Sequence, residues 1–235
     1  MGPRAHPRRA RAVHGRNHPL ARMKPLPPAS LLAAFGLVLG IVALAGFVDA
    51  YAYGHFQGLF VSFMSGNTTS LGVAVAHGDH PKLRELLGVL GLFVGGVVLG
   101  ALLGQRAGRG ATPAILGAVA ALLLLAHLRP ALAVGALTLG MGVLNAAVHE
   151  VGGVKVSLTF VTGTLVRFGT GLAGLLSGQR TSWDWLWQAT LWLGFLAGAL
   201  AGGGVLVQRP AAALPAAAAG ALALAVAARR VRGTQ

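Results

Sequence analysis

Seven long uncharged runs constrain this chain more than any other feature: 25–48, 50–78, 86–105, 110–128, 130–149, 185–208 and 210–228. About 20 apolar residues cross a bilayer as a helix, so the pattern specifies a polytopic membrane protein and excludes a single anchor. Charged residues make up 10% of the sequence, against roughly 25% in a soluble domain. The expected fold class is all-α: a polytopic transmembrane helical bundle of about six full spans plus two broken or re-entrant segments.

The formal charge of +14 would suggest nucleic acid in a soluble protein. Here seven of the 19 basic residues precede residue 25, and three more fall in Arg229-Arg230-Val231-Arg232. Basic tails flanking apolar helices act as cytoplasmic anchors, and no aromatic residue interleaves with the N-terminal run to stack on bases. The partner implied is the lipid bilayer, with both termini cytoplasmic and no nucleic acid. Without cysteine there is no disulfide, thiolate metal site or cysteine nucleophile.

The chain divides into a basic tail, 1–30, a single transmembrane domain, 31–229, and a short basic tail, 230–235. The first tail lacks apolar periodicity, and Met23 is an alternative start. Within the domain, Ser62-Phe63-Met64-Ser65-Gly66 is echoed 97 residues later by Thr159-Phe160-Val161-Thr162-Gly163. Glycines recur every fourth residue at Gly96-Gly100-Gly104 and at Gly194-Gly198-Gly202, a spacing that lets helix backbones approach closely. Each glycine-lined helix ends in Gln-Arg and is followed by a proline and an alanine- or leucine-rich helix. These matches define a two-fold internal repeat, 31–129 and 130–229.

Its parity depends on the polar segments. If Ser65-Gly66-Asn67 and Thr162-Gly163-Thr164 cap short helices that only dip into the membrane, there are six spans and the halves are inverted; if they cross, there are eight and the halves run parallel. Basic loop residues divide four against four in either reading. Arg167 favours six, because a full span would bury its charge mid-membrane.

At Gly46-Phe47-Val48-Asp49-Ala50, Phe60-Val61-Ser62-Phe63-Met64-Ser65-Gly66-Asn67-Thr68, Gly140-Met141-Gly142-Val143-Leu144-Asn145 and Thr159-Phe160-Val161-Thr162-Gly163, the chain resembles the YoaK-like family of bacterial integral membrane proteins, domain of unknown function 1275. The resemblance covers roughly 30–230. It implies about six transmembrane helices and a place in the inner membrane of a bacterium, and transfers no active site. Ser65 stands where that family is expected to carry threonine, which keeps the hydroxyl.

The candidate substrate-binding residues are Asp49, Ser65, Gly66, Asn67, Thr68, Asn145, Thr162, Gly163, Thr164 and Arg167. An acid inside a span marks an ion or proton path or a buried pair, although Tyr51 and Tyr53 also suit an interfacial helix end. Hydroxyls and amides at short-helix starts would favour an anion or polar solute, or merely cap those helices. Asn145 is either interhelical glue or a ligand contact, and Arg167 either balances Asp49 or snorkels.

His149-Glu150-Val151-Gly152-Gly153 fails the H-E-x-x-H pattern, and no phosphate loop or nucleophile elbow occurs. Five acids in the whole chain leave few carboxylate pairs for catalysis. The reading is therefore a small-solute transporter or channel with a midplane site between two repeats, not an enzyme, and without cofactor or metal. A homodimer would bury its glycine-lined faces. Alternatives are a non-transporting scaffold and, third, an intramembrane enzyme.

Overall fold

The computed structural model describes residues 28–147, 161–178 and 184–233. Helices α1 Pro28–His55, α2 Met64–His77, α3 His80–Ala107, α4 Ala111–Leu128, α5 Ala133–Ala147, α6 Val161–Leu176, α7 Asp184–Gln208 and α8 Pro210–Gly233 follow in order, with short 3-10 turns before α4 and α5. No strand occurs among the described residues. Residues 1–27 of the N-terminal tail, the His149-Glu150-Val151-Gly152-Gly153 stretch and Thr159-Phe160 of the second polar segment lie outside them.

The chain is an all-α, multi-pass membrane bundle. Helices α1, α3, α4, α7 and α8 are long and apolar enough to cross a bilayer; α5 with its leading turn, α6 and α2 are shorter. The apolar residues of α3 and α7 face mostly outward: Val94, Val98, Leu193, Leu200 and Val207 are all exposed. Water would not tolerate two such faces, whereas lipid matches them.

Inside, Val38, Ile41 and Val48 of α1, Ile115 and Val119 of α4, Met141 and Leu144 of α5, and an alanine face of α8 form one core. Alanine at Ala213, Ala217, Ala221 and Ala228 lets α8 lie close against α1 and α4.

Glycines fix two helix crossings. A Cβ at Gly46 would strike the carbonyl oxygen of Phe195, and one at Gly198 or Gly202 that of Ala43 or Phe47. A Cβ at Gly142 would strike the carbonyl oxygen of Phe93, and one at Gly96 or Gly100 that of Leu139 or Val143. Backbone touches backbone in both places, so dispersion replaces the hydrophobic effect as the attraction. Contacts advance together, Leu39 with Gly194, Ala43 with Gly198 and Phe47 with Gly202, so α1 and α7 are parallel; Leu92 with Gly135 and Val143 with Gly100 make α3 and α5 parallel in the same way.

The segment after α1 doubles back along it. Gly58 N–H donates to the Tyr53 carbonyl at 2.9 Å, the Phe60 ring tilts against Tyr53, and Val61 N–H reaches Asp49. The chain then reverses again: Asn67, one turn into α2, pairs with the Phe60 backbone, and Ala74 near the end of α2 joins Leu59, Leu86 and Val89. Thus α2 runs in the same sense as α1. Gly78, in the left-handed region at φ 67°, turns the chain into α3, where Asp79 caps by accepting the Lys82 N–H at 3.0 Å.

Candidate functional site

A cavity of about 270 Å³ lies beside Asp49, lined by Phe60, Ser62, Phe63, Val161, Thr162 and Phe195. It joins the loop before α2, the first turn of α6 and the middle of α7. Trp185 packs on Phe168 and Gly171 late in α6, while Val161 at its start borders the same cavity as Phe195, so α6 runs against α7. Helices α2 and α6 therefore begin at the same cavity and depart in opposite senses.

Asp49 is 4% exposed. Its Oδ1 accepts the N–H groups of Val61 at 2.8 Å and Ser62 at 3.0 Å. The residues of α1 around it are apolar, so the loop backbone supplies the polar partners that a buried carboxylate requires. Asn67, 1% exposed, completes the loop: its Nδ2 donates to the Phe60 carbonyl at 2.7 Å and its Oδ1 accepts the Phe60 N–H at 3.2 Å. Gly66 leaves room for the rings of Phe60 and Phe63, which meet edge to face.

Of the residues expected to bind substrate, Asp49 and Thr162 line the cavity. Asn67 supports its wall through Phe60. Thr68 and Thr164 turn their hydroxyls to the carbonyls of Met64 and Val161 in their own helices. Ser65 is exposed in the first turn of α2, and Gly163 sits in the first turn of α6. Arg167 is exposed on α6, away from the cavity lining. Asn145 is buried on α5; its Nδ2 donates to the Met141 carbonyl at 2.8 Å, and its Oδ1 has no partner among the described residues.

The polar triplet Ser65-Gly66-Asn67 does not cap α2. The helix begins earlier, at Met64, after Phe63, with no side-chain cap. Asn67 instead reaches back to Phe60, because the doubled loop brings unpaired peptide groups within its range.

Residues 37–227 match the family described as protein of unknown function (DUF1275). The chain belongs to this family. It is also 38% identical over 172 residues to a UPF0700 transmembrane protein of Rhizobium meliloti (strain 1021), covering 73% of this chain and 75% of that protein. No solved structure matches.

The stretches that resemble the family supply Asp49, Phe60, Ser62 and Phe63 on one side of the cavity, and Val161 and Thr162 on the other. Phe195 was not marked by sequence. It sits on the face of α7 beside Gly46, and the small-residue spacing of that helix draws the eye to the glycines and not to the ring between them.

Proposed function

We propose that this chain is a small-solute transporter or channel of the bacterial inner membrane, built from two inverted repeats with both termini cytoplasmic. The observation that carries the reading is the single cavity shared by Asp49 and Ser62 from the first half and Val161 and Thr162 from the second. Two short helices that start inside the bundle and leave in opposite senses are the arrangement in which transporters place substrates between repeats. Helix α2 then re-enters on the side where α1 ends, α6 on the side where α1 begins, and six helices remain to cross.

Matching contacts support the inverted repeat. Gly46 meets α7 as Gly142 meets α3, α2 packs on α3 as α6 packs on α7, and α4 lies against α8.

The test is solute flux into proteoliposomes containing the purified chain, with a panel of labelled cations, anions and neutral polar solutes. Flux of one class, lost in Asp49→Asn and Phe195→Leu but kept in Gly36→Ala, supports the site. Undiminished flux in both cavity variants sinks it.

The bonds from Asp49 and Asn67 to the loop backbone favour a second reading, a non-transporting membrane scaffold in which these residues lock helices together. That reading predicts no flux of any panel member.

A further inference from the structure

The transport reading leaves the solute unnamed, and the cavity carries that step further. Helix starts attract anions through free N–H groups. At the start of α2 most of those groups are already spent. Phe60 N–H goes to Asn67, Val61 and Ser62 N–H to Asp49, Met64 N–H to the Ser62 carbonyl, and Gly66 and Asn67 N–H to the Phe63 carbonyl. An anion arriving beside α2 would meet an acid and three phenyl rings, with no lysine or arginine among the described residues of the lining.

A cation meets the reverse. Asp49 is a carboxyl group 4% exposed; a cation beside it would favour its ionised form, and a carboxylate has about four acceptor sites, of which the Val61 and Ser62 N–H groups take two. Phe60, Phe63 and Phe195 border the same space, and ring faces attract cations within about 6 Å of their centres, more strongly where water is excluded. The hydroxyls of Ser62 and Thr162 can accept an N–H. A bare metal ion would need several oxygen ligands in a shell, which three phenyl walls do not offer. Ammonium groups carrying alkyl substituents fit both the charge and the apolar walls.

We propose that the cavity binds a small organic cation, an alkylated or quaternary ammonium, with its charge against Asp49 and its alkyl groups against Phe60, Phe63 and Phe195. The proposal rests on the cavity as the binding site of the transport reading, but binding and flux are separable.

The experiment is calorimetric titration of the full chain in lipid nanodiscs with choline, with its uncharged isostere 3,3-dimethylbutanol, and with acetate. Choline is expected to bind at least tenfold more tightly than the neutral isostere, and acetate not at all. Asp49→Asn keeps an Oδ1 acceptor for Val61 and Ser62, so the loop stays in place while the charge is lost; choline affinity should fall tenfold or more. Phe195→Leu keeps apolar volume without a ring face and should weaken choline but leave the isostere unchanged. Equal binding of choline and isostere, preferential binding of acetate, or no binding of choline overturns the cation assignment. Choline binding without choline flux in proteoliposomes would overturn transport and leave the cation site standing; anion flux without choline binding would do the opposite.

Discussion

Asp49 and Asn145 stand in the same register beside two glycine crossings. Each lies three residues after the glycine, Gly46 or Gly142, at which its helix touches the backbone of a helix from the other half. The acid binds two loop N–H groups, whereas the amide turns its Nδ2 to the Met141 carbonyl one turn back. Two similar crossings thus carry an acid beside one and a neutral amide beside the other. The cavity lies on the side of the acid.

Asp49 is both a structural acceptor and an ionisable group, and two substitutions separate these roles. Asp49→Asn should fold with little loss of stability because Oδ1 remains. Asp49→Ala leaves the N–H groups of Val61 and Ser62 buried without partners, at about 1–3 kcal/mol each. Thermal unfolding in detergent should place the alanine variant well below the asparagine variant; equal midpoints would refute the loop bonds.

Asn67→Ala removes both bonds to Phe60 from a fully buried position. A destabilisation of about 2–4 kcal/mol is expected from two unsatisfied backbone groups and a small void. Hydrogen exchange should rise at residues 58–63 and remain slow in α4 and α8. Uniform acceleration across the chain would mean that this loop is not a local unit.

The two crossings tolerate no side chain. Gly46→Ala and Gly142→Ala each place a methyl group against a carbonyl, so a loss of about 1–3 kcal/mol or more is expected from overpacking. At Gly36 and Gly88 nothing lies within 4 Å, and alanine there should be neutral or gain up to about 1 kcal/mol of helix propensity. A midpoint drop at Gly36 equal to that at Gly46 would contradict the packing.

The native absence of cysteine allows clean labelling. With α2 re-entrant, His80→Cys and Arg209→Cys should react from the same side of the membrane, and Arg106→Cys and Arg229→Cys from the other. Reaction of His80→Cys from the side of Arg229 would make α2 a full span and the halves parallel.

Length and hydropathy exposed every long helix in the sequence, because a bilayer imposes a minimum apolar length that no soluble core requires. The glycine spacing also pointed correctly to close packing for Gly96, Gly100, Gly198 and Gly202. It did not identify the partners, since a four-residue period marks a helix face without saying what lies across it. Asp49 was legible as an anomaly, an acid in an apolar run. Its partners were not: Val61 and Ser62 act through backbone groups, which every residue carries, so no side-chain pattern announces them. Thr68 and Thr164 carried a polar signal but spend it on their own helices, as hydroxyls in apolar surroundings often do.

The pairing of α1 with α7 also has a consequence for synthesis. The close partner of the first helix is complete only at Gln208, 153 residues after α1 ends. At a translation rate of roughly 5–20 residues per second, α1 waits about 8–30 s with its glycine face turned to lipid or to passing helices. Its acid need not wait so long. Val61 and Ser62 emerge directly behind α1, so Asp49 can find its hydrogen bonds while most of the bundle is still unmade, and the costliest group in the helix is provided for before the helix is packed.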